Sequence, residues 1–288
     1  MLLLFAGPAR ADTGSIFLPL VSNTPWPAWL SRLNQFRTLA NLPPVKENTE
    51  YSQGDENHAQ YMVMNNIVVH SEDPSKPYYT STGNTAAQSS NLMMDSSASV
   101  PDQYAIDLWM TGPFHALWML DPHLANVGFG SYRDITAPMQ MAAALDVLRG
   151  RVYPLPSGAS FPVMWPGDQQ TEPLTSFAGF ESPSPLEKCS GYTTPTGIPI
   201  LLQIGDGNFT PQITQYSLSA NGISLDACEF DETKYQTNTI PYSILSMHDA
   251  VVLIPKAPLT PGVTYSVSIT DAEPGNQRTY SWSFTVGG

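Results

Sequence analysis

Proline places the tightest limit on what this chain can fold into, because it lacks a backbone N–H and fixes φ near −65°. The chain holds 27 prolines, and they are spaced unevenly. Up to Val152 they sit at the margins of apolar runs, as at Pro43-Pro44, Pro101 and Pro122, which leaves stretches long enough for helices. From Tyr153 onward Pro and Gly recur every few residues (Pro154, Pro156, Gly158, Pro162, Pro166, Gly167, Pro173), a pattern that suits short strands joined by turns. At 288 residues there is length for two ordinary domains. The expected division is 26–152 and 153–288.

In the first domain Trp29, Leu33, Phe36 and Ala40 recur at helical spacing until Pro43-Pro44 stop the run. A second helix is expected from about Ser52, as its cap, to Val68, with Asp55 and Glu56 near the positive end of the helix dipole. A short third helix over Thr85–Met94 and a fourth from Pro101, carrying Tyr104, Ala105, Leu108 and Trp109, follow. Asn126–Tyr132, with Gly128 and Gly130, reads as a strand. The alanines of Met139–Val147 favour helix, but its apolar residues alternate, and the short Asp134–Pro138 loop suits a hairpin; a strand is predicted. The second domain carries β-rich runs at Ile198–Ile204, Gln215–Leu218, Ala250–Ile254, Thr264–Thr270 and Thr279–Val286, which predict a β-sandwich.

Net charge is −13, from 12 Lys+Arg against 25 Asp+Glu. That excludes a protein whose affinity rests on a basic face against nucleic acid, and disfavours docking on anionic lipid. Met1–Ala11 is apolar and ends Ala-Arg-Ala, matching a signal-peptide remnant (1–11) followed by a tether (12–25). No stretch approaches the ~18 apolar residues of a transmembrane helix. A secreted or cell-surface protein is expected. Export makes a Cys189–Cys228 disulfide the natural pairing of the two cysteines. Neither Cys-x-x-Cys nor His-Glu-x-x-His occurs, so no ready-made zinc signature is present.

His70 and His115 stand in apolar-rich segments and could be metal ligands or general bases. The order of Leu33-Asn34 with Arg37, Leu42-Pro43-Pro44-Val45, His58-Ala59-x-Tyr61-Met62, His70-Ser71, Asn91-Leu92, and Trp109…His115…Val127-Gly128-Phe129-Gly130 resembles the CAP superfamily. This SCP-like fold is shared by cysteine-rich secretory, antigen 5 and plant pathogenesis-related proteins, and bacterial members look most similar. The C-terminal part resembles bacterial Ig-like domains through the Leu259–Tyr265 turn and the Trp282–Thr285 strand. The resemblance implies an α+β architecture: an αβα sandwich (CAP fold) over 26–152, then an all-β Ig-like sandwich over 153–288. It also implies an open cleft with two histidines and two glutamates that, in some members, hold zinc or another divalent cation. The histidines carry over to His70 and His115. The glutamates do not, since Ser90 and Gly112 stand at their positions. Glu72 and His58 are substitutes to weigh, Asp95 a weaker one, and Ser90, Asn91 and Trp109 are expected to line the cleft.

Each residue also has a plainer reading. The histidine pair could be hydrogen-bonded interior groups, His58 a satisfied helix-face residue, His123 a surface-loop residue, and His248 unlinked to the site. Trp109 and Trp118 read first as core aromatics. Ser71 or Ser90 with a histidine and Glu72 would be a serine-hydrolase set, but no Gly-x-Ser-x-Gly elbow exists. The functional expectation is a secreted binding protein whose cleft takes a small-molecule, lipid or peptide ligand, with the Ig-like domain as spacer, adhesion arm or contact to a cell-surface partner. The alternative is a hydrolase of peptide or ester bonds using the histidine pair as acid and base.

Overall fold

The computed structural model describes residues 26–273 and 276–287; the expected signal remnant and tether lie outside the described residues. Helix α1 (Ala28–Leu39) buries Trp29, Leu30, Leu33 and Phe36. Strand β1 (Lys46–Glu47) leads into α2 (Thr49–Asn65). The cap of α2 is Asn48, whose side chain accepts from the amides of Glu50 and Tyr51 at 3.0 and 3.3 Å. Ser52, expected in that role, instead donates to Glu47 Oε1 at 2.7 Å and accepts the Phe129 amide at 3.1 Å. After α3 (Ser81–Ala87), which holds the start of the expected third helix, β2 (Ser90–Asp95) replaces its second half. The reason is two-sided burial: Leu92 packs beneath α2 while its neighbour Met93 enters the opposite core, which only a strand permits.

Helices α4 (Asp102–Met110) and α5 (Pro113–Met119) precede β3 (Asn126–Arg133) and β4 (Met141–Asp146). The strands form one sheet in the order β1-β3-β4-β2. The alanine-rich β4 is a strand because its alternation serves two layers. Met141, Ala143 and Leu145 join the core of α1, α4 and α5, and Ala142 and Ala144 meet α2. Close approach of α2 explains Gly130, where a Cβ would fall 1.9 Å from the Glu56 nitrogen. Three αβα layers result. Arg37 is buried in this half, donating to the carbonyls of Pro43, Met119, Asp121 and Leu124 at 2.9–3.1 Å and so shaping the turn after α5. Burial pulls its guanidinium down to about 10, opposed by Asp121.

The C-terminal region is β-rich. Its elements are β5 (Val163–Trp165), β6 (Thr171–Glu172), β7 (Ser176–Phe177), β8 (Thr196–Gly197), β9 (Ile200–Gln203), β10 (Ile213–Ala220), β11 (Ile223–Leu225), β12 (Ala227–Phe230), α6 (Ile240–Met247), β13 (Ala250–Pro255), β14 (Thr264–Glu273) and β15 (Asn276–Val286). One sheet runs β12-β13-β9-β5 and a second β11-β10-β14-β15-β6, with β7 and β8 paired separately. The disulfide Cys189–Cys228 is formed and ties the segment before β8 to β12. No described helix is long and apolar enough to cross a membrane.

The composition boundary near residue 152 is not a break in packing. The β12-β13-β9-β5 sheet is apolar on both faces. From β13, Val251 and Leu253 join the core shared with the second sheet, while Ala250, Val252 and Ile254 join the core of α1, α4 and α5. From β9, Ile200 and Leu202 take the first side and Leu201 the second. Gln203 also donates to the Leu120 carbonyl at 3.1 Å across the seam. A spacer hanging free of the first domain is therefore not what the chain builds.

Leu201→Ala removes a side chain from the shared core and is expected to cost about 3 kcal/mol. Urea unfolding followed by circular dichroism and tryptophan fluorescence should show one transition, moved for both signals alike. Two separate transitions would show that the halves fold independently.

Candidate functional site

The five histidines separate by what their ring nitrogens meet. On α2, His58 is fully buried, with Nδ1 3.0 Å from Glu72 Oε1 and Nε2 2.9 Å from the Val69 carbonyl. Both carboxylate oxygens of Glu72 are committed to groups other than His70. Its Oε2 accepts the Thr80 amide at 2.9 Å, and its own amide donates to Asn84. These two residues pin the loop after α2 rather than assist His70. Asp95 lies at the far end of β2 and accepts the Ser97 amide at 2.8 Å.

His70 and His115 come to one cleft at the seam, where both line a cavity of about 950 Å³ and a second of about 340 Å³. His70 Nδ1 lies 3.0 Å from the Ala87 carbonyl, so Nδ1 carries the proton and Nε2 is left as a lone pair. Burial holds its imidazole below the ordinary histidine value, with the Ala87 bond opposing and nearby His115 and His58 pushing the same way as burial. The ring is neutral at neutral pH.

His115 sits in the first turns of α5, started by Pro113. Its Nδ1 donates to Glu181 Oε1 at 2.8 Å, and its backbone amide donates to the same oxygen at 2.9 Å. Its Nε2 is likewise left unengaged. Glu181 was not foreseen. It stands between β7 and β8 and is buried; a Cβ at Gly112 would lie 2.7 Å from Oε1 and 2.9 Å from Cδ. The carboxylate thus occupies the space that a side chain at position 112 would need. The one trace in the sequence is the glycine itself, standing where the resemblance implies a glutamate.

The cleft walls are drawn from both halves: Val68, Leu92, Phe114 and Trp118 on one side, Phe180, Pro183, Ile240 and Ile244 on the other, with Glu187, Lys188, Gln236 and Asn238 adding polar and charged groups to the larger cavity. Asn91 lines it and donates to the His115 carbonyl at 3.2 Å. Trp109 does not: it is fully buried and donates Nε1–H to the Leu92 carbonyl at 3.1 Å. The tryptophan at the cleft is Trp118. Ser90 lines the smaller cavity, but its hydroxyl donates to Asp55 Oδ1 at 2.6 Å, so the set of Ser90, histidine and Glu72 does not form.

A resident zinc would need three or four protein ligands. Here two imidazole nitrogens are offered. Among the described residues no three His, Cys, Asp or Glu side chains gather in a way that could hold a metal ion. Glu181 carries the right charge but spends Oε1 on the outer nitrogen of His115. The donor set is two ligands short of the two-histidine, two-glutamate site that the resemblance implies.

Residues 30–136 match the family model described as CAP, the cysteine-rich secretory protein family. That region spans α1 to the turn after β3, including both cleft histidines. No curated protein matches the chain.

Asp55, behind Ser90, is pushed up to about 8, first by burial and then by Asp146, against its bond from Ser90 and the charge of Arg149. The folded state keeps a proton that the unfolded chain releases near pH 4. The stability tied to it is full below about pH 4 and is lost as pH rises toward 8. Urea denaturation of Asp55→Asn across that range should show a shallower fall of stability with pH than the parent. An unchanged slope would remove Asp55 from the balance.

Proposed function

We propose that this chain is an exported, bacterial-type CAP protein whose cleft binds an organic ligand of small, lipidic or peptide character. The β-rich C-terminal half, of Ig-like type, serves as one wall of that cleft. One observation carries the reading. Two imidazoles from distant segments, each pinned at Nδ1, line one cleft of mixed apolar and polar walls with Nε2 unengaged. Such a floor accepts hydrogen bonds from a ligand's hydroxyl, amide or ammonium group while the walls cover its apolar body. Export is supported by the Ala-Arg-Ala motif and by the disulfide.

Binding of an uncharged, environment-sensitive dye tests the cavity. Ile240 is exposed and lines both cavities, so Ile240→Lys should leave folding intact and weaken the dye about tenfold or more. Equal affinity in the two proteins would sink the cleft. Zinc serves as a probe of the paired lone pairs. Calorimetry should detect weak uptake that His70→Ala removes and that Glu181→Gln weakens about tenfold, as loss of an orienting carboxylate does. Uptake indifferent to both changes would mean that the two rings do not act together.

A second reading rests on the same buried carboxylate. Glu181 holds His115 in the tautomer that a general base requires, which supports a hydrolase using water and the histidine pair. Activity-based probing on peptide and ester substrates tests it, and turnover retained by His115→Ala would end it.

A further inference from the structure

On the far side of the same seam lies a second set of paired groups that ligand binding does not use. His123 is buried, not the surface residue expected from its loop, and His248 is likewise buried and in contact with the first half. His123 Nδ1 lies 2.9 Å from the Val152 carbonyl, and His248 Nδ1 lies 2.7 Å from the Ile244 carbonyl. These bonds assign the proton of each neutral ring to Nδ1. The other nitrogen then presents a bare lone pair. His123 Nε2 stands 3.6 Å from Asp206 Oδ2, and His248 Nε2 stands 3.7 Å from Asp121 Oδ2. Among the described residues, neither Nε2 makes a hydrogen bond. Each contact crosses the seam, in opposite senses: histidine of the first half to carboxylate of the second, then the reverse.

With neutral rings, both contacts set a lone pair against carboxylate oxygen. Only an Nε2 proton turns them into ion pairs. We infer that this cluster is a proton-operated latch: uptake of protons by His123 and His248 tightens the joint between the two halves, and their loss loosens it.

The surroundings fit. Around His123 stand Asp206, the Tyr153 ring at 4.1 Å, and Asp121, whose Oδ1 accepts the His123 amide at 2.8 Å. Around His248 stand Asp121, the Trp118 ring at 4.6 Å, and the adjoining Asp249. Arg151 pairs with Asp121 at 2.6 Å, and Arg37 holds the backbone of the same turn. Burial alone would raise Asp121, but His248, Arg151 and the His123 amide together keep it below the ordinary carboxylate value. Its carboxylate therefore favours the charged form, the partner that an Nε2 proton on His248 would need. Trp118 touches His248 and also lines the cleft, which gives the latch a mechanical route to the ligand site. That last link rests on the cleft being a binding site; the latch does not.

Hydrogen exchange of the full chain, corrected for the intrinsic pH dependence of amide chemistry, reads the seam through Val152, Leu124 and Gln203. Protection there should fall about tenfold between pH 5.5 and 7.5 in the parent. The double variant His123→Gln/His248→Gln keeps an N–H toward each carboxylate but cannot titrate, so the fall should vanish. Should that variant not fold, Asp206→Asn, at an exposed position, should still reduce the fall. Asp249, pushed up to about 6 chiefly by burial, titrates in the same window and is left intact in every variant. A parent with flat protection overturns the latch. So does a full tenfold fall persisting without the histidine pairs, which would assign it to Asp249. Dye binding in the cleft, followed over the same pH range, separates the latch from the ligand reading: protection can change with pH whether or not the dye binds.

Discussion

The fold depends on a sheet that has no solvent side. Strands β9 and β13 carry apolar residues at consecutive positions, so both faces of the β12-β13-β9-β5 sheet must be covered. Each well-buried aliphatic side chain contributes roughly 1.5–3 kcal/mol, and exposing either face would forfeit several of them. The second sheet covers one face and the helices of the first half cover the other. Once that docking is fixed, the Pro-rich stretch between β7 and β8 runs past the start of α5, and α6 closes the rim of the cleft. A cleft bounded by both halves follows from a packing requirement, not from a linker of chosen length.

The histidines show how far a hydrogen bond to one ring nitrogen determines the chemistry at the other. All five rings have Nδ1 at an acceptor. What differs is the partner of Nε2. At His58 it is a carbonyl, and the residue is structural. At His123 and His248 it is a carboxylate slightly too distant for a neutral hydrogen bond, so the contact depends on charge. At His70 and His115 no group among the described residues takes it, which leaves the nitrogen for the ligand proposed above. The surrounding second bonds, and not the ring itself, sort one residue type into three roles.

Much of this was legible in the sequence. Helix α1 and strands β3, β4, β13, β14 and β15 announce themselves through periodicity, and the disulfide through export. The convergence of His70 and His115 was legible only through the resemblance. What escaped had a common cause: local pattern cannot see contacts made by residues distant in the chain. The Ser90–Asp95 segment looks helical until β4 supplies a partner. Helix α5 is only seven residues long, and α6 only eight, within a region that reads as strands. His123 and His248 seemed peripheral because each is buried by the other half. Glu181 lies 66 positions from His115, inside a stretch whose composition says only turn.

Glu181 also explains why the cleft departs from the metal site that the resemblance implies. A carboxylate carried at position 112 would start on the helix side of the cleft and could serve beside the imidazoles as a ligand. With glycine there, the space is filled from behind by a carboxylate whose Oε1 holds both His115 nitrogens that donate. The negative charge is kept, but it has moved from the inner side of the imidazole to the outer side. There it cannot neutralise a bound cation by direct contact; it can only make Nε2 a better acceptor and fix where that nitrogen points. Together with Ser90, which turns its hydroxyl toward Asp55, the exchange converts a charged ligand set into a neutral, hydrogen-bond-accepting floor. The proposed recognition of an organic donor group fits that change more directly than retention of a metal does.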